Sequence, residues 1–215
     1  MFSMQQRKEI AINEAYLPLF TYENRIVRLQ GGAGSGKSIA MAQLFLFIAM
    51  QPDNNRLFVF RKVGRTVRDS VFQTFIDLIN ENDLSPFWNV NKSTFTLTYQ
   101  NGNSIICGGM DDPEKVKSIK DPTCIWMEEA TEFSLMDFKQ LNLRLRKEGA
   151  RNQLFLSYNP INTDSWIYRK FVENDYPGEL FIKTTHQDND YLPEAYRQEL
   201  HSLANTDKNY YKIST

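Results

Sequence analysis

The chain has 215 residues, 41% of them hydrophobic and 24% charged, which is enough to bury a sizeable core and excludes a disordered chain or a mini-protein. Its 25 Lys and Arg against 26 Asp and Glu leave a net charge of -1, so no global field draws it to nucleic acid or an anionic membrane, and any such contact has to be local. Cys107, Cys124, His186 and His201 are its only cysteines and histidines; without a C-x-x-C spacing they cannot assemble an ordinary structural zinc site, and they indicate reduced thiols in a cytosolic setting.

The first ten residues, Met1 to Ile10, have no apolar stretch followed by small residues, so no secretory signal is expected. From about Arg25 onward, short apolar runs alternate with segments of helical length and periodicity, the pattern of a mostly parallel sheet with helices on both faces. Strands are predicted at Ile26 to Leu29, Leu57 to Phe60, Cys124 to Met127, Leu154 to Ser157 and Leu180 to Thr184, each apolar as a strand buried on both faces should be. Helices are predicted at Lys37 to Met50, Val67 to Asn80, Ser134 to Lys147, Ser165 to Val172 and Pro193 to Leu203. The run Ile39 to Met50 is about half the roughly 20 residues a membrane span needs and stops before Pro52, so it reads as a buried helix. Ser93 to Tyr99 and Ser104 to Cys107 flank an Asn101-Gly102 turn, the chemistry of a β-hairpin extending the sheet edge. No repeat and no Gly/Ser/Pro linker divides the chain, and residues 1–215 read as a single α/β domain.

Gly31-Gly32-Ala33-Gly34-Ser35-Gly36-Lys37-Ser38 fits G-x-x-x-x-G-K-[ST] between a predicted strand and a predicted helix. Glycines there let backbone N–H groups and the helix N-terminus surround a phosphate. Lys37 would reach the β- and γ-phosphates of ATP and the Ser38 hydroxyl would bind Mg2+. Thr123 to Glu132 is an apolar strand ending in adjacent carboxylates, the form of a Walker B strand; successive side chains point differently, which assigns Glu128 to the metal and Glu129 to water activation. Leu154 to Ser157 stops in Tyr158-Asn159-Pro160 at the strand end where open α/β sheets place ligands, so Asn159 and Ser157 are candidate γ-phosphate sensors, with a plain Asn-Pro turn as the alternative.

The order and spacing of Gly31 to Ser38, Phe60-Arg61-Lys62, Val67 to Phe72, Gly108 to Ile119, Ile125-Trp126-Met127-Glu128-Glu129-Ala130 and Ser157 to Pro160 resemble the ATPase domain of the large terminase subunit of tailed bacteriophages. The resemblance covers nearly the whole chain. It implies the additional-strand (RecA-like) class of P-loop NTPase, ATP hydrolysis that drives double-stranded viral DNA into a procapsid, and a homo-oligomeric ring docked on the portal protein in the host cytoplasm. It also implies a small terminase subunit as partner and a nuclease domain following the ATPase, with 1–215 the amino-terminal part of such a protein. The chain departs from the family at Ala33, where an arginine is common, and at Glu128, where aspartate is usual; its sequence ends at Thr215, before the family's nuclease.

Basic side chains gather at Arg61, Lys62, Arg65 and Arg68, at Lys115, Lys117 and Lys120, and at Arg144, Arg146, Lys147 and Arg151. Most such clusters are solvated faces, but the resemblance implies a cation supplied in trans from the segment before the Walker B strand, here Lys115, Lys117 or Lys120, with Arg61 and Arg144 as alternatives in cis. Tyr22, Arg25, Gln5 and Gln6 are the candidates for the base site, and Asp111-Asp112 before Pro113 reads as a turn. Three further functions compete: another nucleic-acid translocase or helicase of the same class, a nucleotide-dependent interaction module that does not hydrolyse ATP, and a small-molecule kinase. The last lacks the clustered arginines of a lid, and the interaction module has no use for Glu129.

Overall fold

The computed structural model describes residues 10–111 and 119–206. Eight strands form one sheet: β1 (Ile26–Gly31), β2 (Arg56–Arg61), β3 (Trp88–Asn91), β4 (Thr96–Tyr99), β5 (Ser104–Gly109), β6 (Cys124–Glu128), β7 (Gln153–Tyr158) and β8 (Glu179–Thr184). Their order is β3-β4-β5-β2-β6-β7-β1-β8. The pairs from β5 to β8 are parallel, whereas β3-β4 and β4-β5 are antiparallel. The strand β7 lies between the P-loop strand β1 and the Walker B strand β6, which is the additional-strand arrangement.

Burial divides each central strand by alternation. Val27, Leu29, Leu57, Val59, Cys124, Trp126 and Phe155 face α1 (Lys37–Met50) and α2 (Gln73–Glu81) in one core. Ile26, Phe58, Phe60, Ile125, Met127, Leu154 and Leu156 face α3 (Leu135–Arg144) and the segment Ile167 to Phe171 in the other. In the first core Phe45 meets Trp126 and Phe155 at ring-centroid distances of 5.8 and 5.5 Å. Phe45 is fully buried, so the aromatic contacts add to an apolar burial worth about 2–3 kcal/mol for such a side chain.

The five predicted strands and the hairpin are present, and α1 has the predicted bounds. The helix expected at Val67 to Asn80 is instead a 3-10 turn at Gly64–Thr66, a π turn at Arg68–Phe72 and then α2. The break is at Ser70, whose φ/ψ of -113°/-105° are not helical. Ser70 Oγ donates to Thr66 O at 2.7 Å and Thr74 Oγ1 donates to Ser70 O, so hydroxyls compete for the carbonyls a straight helix would use. The helix expected to reach Lys147 ends at Arg144, because Arg25 Nη2 takes the carbonyls of Asn142 and Leu145. Ser165 to Val172 contains a π turn at Tyr168–Val172, and the final helix, α4, runs Glu194–Thr206.

Three features escape the sequence pattern. The edge strand β3 joins the sheet beyond the hairpin, and a 3-10 helix, Glu14–Phe20, begins at the Asn13 cap. Arg28 stands in the otherwise apolar β1 and is buried, with Nε donating to Glu179 Oε2 at 2.6 Å and Nη1 to Tyr158 Oη at 2.6 Å. Burial pushes the Tyr158 hydroxyl up to about 12, against the pull of the Arg28 charge.

At the opposite end of α1 the cap is built from the hairpin. Asn103 Nδ2 donates to Ala49 O and Gln51 O, Asn55 Nδ2 donates to Ile48 O, and Asn103 Oδ1 accepts from Asn55 N at 2.8 Å. These asparagines satisfy carbonyls that a helix terminus leaves without partners. They tie the turn selected by Asn101-Gly102 to the helix that carries Lys37.

Candidate active site

The site lies at the carboxyl ends of β1, β6 and β7. After β1 the chain turns through Gly34 and Gly36, with φ of 78° and 89°, conformations that glycine adopts without a Cβ penalty. Gly36 caps α1 without any side-chain hydrogen bond, so the first N–H groups of the helix remain directed into the loop. Gly31 is closely packed: a Cβ there would lie 2.6 Å from Ser35 Oγ and 2.7 Å from Thr184 O.

Lys37 is buried, and Nζ donates to the carbonyls of Gly31 and Gly32 and, at 3.3 Å, to Asn159 Oδ1. Burial lowers its pKa while Glu129 and Glu128 oppose the shift. Gly32, Ala33, Gly34, Gly36, Lys37, Ser38, Glu129 and Asn159 line one cleft of about 360 Å³. Gly31 and Ser35 are buried beneath it; the Ser35 hydroxyl donates to Gly32 O at 2.9 Å.

The two carboxylates differ as their adjacent positions require. Glu128 ends β6 on the α1 side of the sheet and is buried. Burial raises its pKa, and the Arg61 charge and the Ser38 side chain pull it back. Its Oε2 makes no hydrogen bond. Its nearest cation is Arg61 Nη1, 3.6 Å from that oxygen, and the carboxylate and the Ser38 hydroxyl together give hard oxygen donors of the kind Mg2+ takes. Glu129 leaves the sheet with φ/ψ of 53°/56°, a left-handed conformation costing an L-residue on the order of 1–3 kcal/mol. That turn swings its side chain away from the direction of Glu128 and into the cleft with Lys37.

Other candidates are placed elsewhere. Ser157 Oγ accepts the Trp126 indole N–H at 2.8 Å and is buried, so it joins β6 to β7 and, unlike Asn159, does not line the cleft. Arg25, just before β1, donates through Nε to Asn142 Oδ1 at 2.9 Å; with Tyr22 it lies at the opposite end of a six-residue strand from the loop, roughly 20 Å away. Neither belongs to a base site. Arg144 and Lys120 are at that far end too, Arg144 Nη1 donating to Ile119 O and Lys120 O accepting from Arg56 Nη1. This removes Arg144 as a cation in cis. Asp111 forms the expected turn, and both its oxygens accept from Gly64 N at 3.0 Å. Gln5, Gln6, Asp112, Lys115 and Lys117 lie outside the described residues.

The supports of the loop are not marked in the sequence pattern. Asn189 Nδ2 donates to Gly34 O at 2.7 Å and lines the cleft; Tyr16 Oη donates to Ser35 O at 2.9 Å and meets Thr184 Oγ1 at 2.7 Å. A second cleft of about 360 Å³ continues from Gly36 along α1, lined by Ile10, Asn13, Ile39, Gln43, Asn189 and Tyr191. Asn189 follows β8 in a polar run at a strand end, a signal of the same kind that marked Asn159. Tyr16 carried no local signal, because its partners are 19 and 168 residues away.

A family model described as phage terminase large subunit matches residues 23–215. The chain is 31% identical over 215 residues to the PBSX phage terminase large subunit of Bacillus subtilis (strain 168), covering 91% of this chain and 49% of that protein. It is 33% identical over 213 residues to the terminase large subunit of Bacillus phage SPP1, covering 89% and 50%. The chain thus spans about half the length of the curated relatives it matches. The fold is similar to that of the large terminase from a thermophilic bacteriophage in complex with ADP, with a TM-score of 0.74 at 16% identity, over 90% of this chain and 50% of that one.

Proposed function

We propose that this chain, which belongs to the phage terminase large-subunit family, hydrolyses ATP to drive double-stranded viral DNA into a procapsid. Residues 1–215 are the ATPase unit of a longer protein that continues into a nuclease. The observation that carries this reading is the convergence of Lys37, Ser38, Glu129 and Asn159 on one cleft at the carboxyl end of a parallel sheet.

In this reading the amides of Gly31 to Ser38 surround the phosphates of ATP, and Lys37 exchanges its contacts with loop carbonyls for the β- and γ-phosphate oxygens. Ser38 and Glu128 hold Mg2+, which when bound neutralises charge developing on those oxygens. Glu129 orients a water and accepts its proton as the water oxygen bonds to the γ-phosphorus and the bond to the ADP oxygen breaks, giving ADP and phosphate. Asn159, held at Lys37, senses the γ-phosphate. The base lies in the second cleft, between Ile39 and Tyr191. The ADP complex of the thermophilic phage terminase supports a nucleotide in a fold of this kind.

The partners in this reading are a portal protein, a small terminase subunit and further copies of the chain in a ring, acting in the host cytoplasm on the docked procapsid. Lys117 is the cation offered to the neighbouring subunit. Phosphate release by the longer protein, with and without portal-bearing procapsids and DNA, tests the reading. Stimulation by procapsids together with packaged DNA is expected. Stimulation by single-stranded nucleic acid alone would make it a different translocase, and nucleotide binding without any phosphate release would make it a switch.

A further inference from the structure

Glu129 has the backbone of a strained residue, and the contacts that hold it there come from a neighbouring strand. It is followed by a 3-10 turn, Ala130–Glu132, closed by Glu132 N donating to Glu129 O at 2.9 Å. Glu128 and Glu132 therefore bracket it, one residue before and three after. Phe60 pairs with Met127 across β2 and β6, so the next residue of each strand, Arg61 and Glu128, emerges on the same face. Arg61 Nη1 lies 3.6 Å from Glu128 Oε2, and its Nη2 lies 3.6 Å from Glu132 Oε1.

We propose that Arg61 is a positioning residue whose guanidinium joins Glu128 to Glu132 and so locks Glu129 in the left-handed turn that aims its carboxylate into the cleft. The inference rests on the reading of Glu129 as the residue that activates water. Arginine suits the task because its planar fork can meet two carboxylates with two separate nitrogens, whereas a lysine ammonium is a single point. The side chain is 14% exposed and that of Glu128 7%, so this pair is screened far less than a surface one. Arg61 itself is fixed on the other flank: Met110 N donates to its carbonyl at 3.0 Å and Gly109 pairs with it across β5. It does not line the nucleotide cleft, which separates this role from that of a cation acting on phosphate in cis.

The test uses the full chain with Arg61→Ala, Arg61→Lys and Glu132→Gln. Amide hydrogen exchange is read across residues 128–133, ATP affinity by titration of a fluorescent analogue, and turnover by phosphate release. Arg61→Ala is expected to raise exchange at the Glu132 amide at least tenfold while the β6 amides stay protected. It should lower kcat roughly a hundredfold, as a misplacement of about 1 Å can, and leave ATP affinity within twofold. Arg61→Lys should recover only part of the rate, and Glu132→Gln added to Arg61→Ala should cost nothing further, since the two act as one unit.

Unchanged exchange in Arg61→Ala would overturn the proposal even if the chain proved not to hydrolyse ATP, which would be the separate failure of the functional reading. Full activity of Arg61→Lys, additive losses for Arg61 and Glu132, or weakened ATP binding with unchanged kcat would each overturn it as well. If Arg61→Ala does not fold, Glu132→Gln carries the same readouts from the 44%-exposed end of the contact.

Discussion

The Lys37 ammonium donates to the Asn159 side-chain oxygen at 3.3 Å, joining residues 122 positions apart. This contact couples the loop after β1 to the end of β7, and it explains why a lysine and an amide from different strands share one cleft. Lys37→Ala is expected to reduce ATP turnover at least a hundredfold, because a charge-assisted contact to phosphate has no substitute in the backbone cradle. Asn159→Ala should cost roughly tenfold in kcat, with thermal unfolding little changed. Phosphate release and a melting curve for each variant check both outcomes.

Glu129→Gln keeps the shape of the side chain and removes its proton acceptor. The variant is expected to bind ATP as the parent does and to hydrolyse it at least a hundredfold more slowly. Glu128→Gln should instead weaken Mg2+-dependent nucleotide binding, since the buried Glu128 carboxylate meets the Ser38 side chain. Titration of the fluorescent analogue with and without Mg2+ separates the two variants, and a reversed pattern would exchange their roles.

Asn103 is buried and bridges the carboxyl end of α1 to the start of β2 through bonds of 2.9, 2.9 and 2.8 Å. Asn103→Ala should destabilise the fold by about 2 kcal/mol, because a backbone N–H and helix carbonyls lose a partner in a dry place, while Asn101 retains part of the cap. Urea denaturation reads the loss as a lower midpoint at unchanged slope.

Asp137 Oδ2 accepts from Ser134 N and from Lys62 Nζ, both at 2.7 Å, as part of the capping box that begins α3. Burial alone would raise its pKa, but the Lys62 and Ser134 bonds hold it below the ordinary value of 3.8. A carboxyl lowered on folding contributes stability that is present above its unfolded pKa and lost as pH falls through the folded one. Asp137→Asn should therefore cost about 1 kcal/mol at pH 7 and progressively less below about pH 4. Paired denaturation curves across pH 2 to 7 measure the convergence.

The parts of this protein that depend on short-range pattern are readable from the order of its amino acids. Strands buried on both faces show as apolar runs whatever their partners, so β1, β2, β6 and β7 are legible with ends within a residue or two; β8 is legible too, but it lies at the sheet edge with Phe181 42% exposed and is not the strand buried on both faces that its apolar run predicts. Gly31 to Ser38 was legible because a phosphate cradle needs glycines, a lysine and a hydroxyl at fixed spacing in one continuous segment. The pair Glu128-Glu129 was legible as chemistry, because a strand end turns adjacent side chains different ways.

Which distant residues complete the site follows from the three-dimensional packing. Ser157 and Asn159 are equivalent candidates in sequence, yet Ser157 is buried beside the Trp126 indole, whereas Asn159 emerges past the strand end at Lys37 and lines the cleft. Arg25 and Tyr22 are close to the loop in number but precede β1, and a strand carries its two ends apart. Arg28, Tyr16, Asn189 and Arg61 act through partners more than 60 residues away, apart from the Tyr16 bond to Ser35. Side-chain reach across neighbouring strands depends on strand order and register, and these are fixed by how the two apolar faces of the sheet are covered, which no local stretch of sequence encodes.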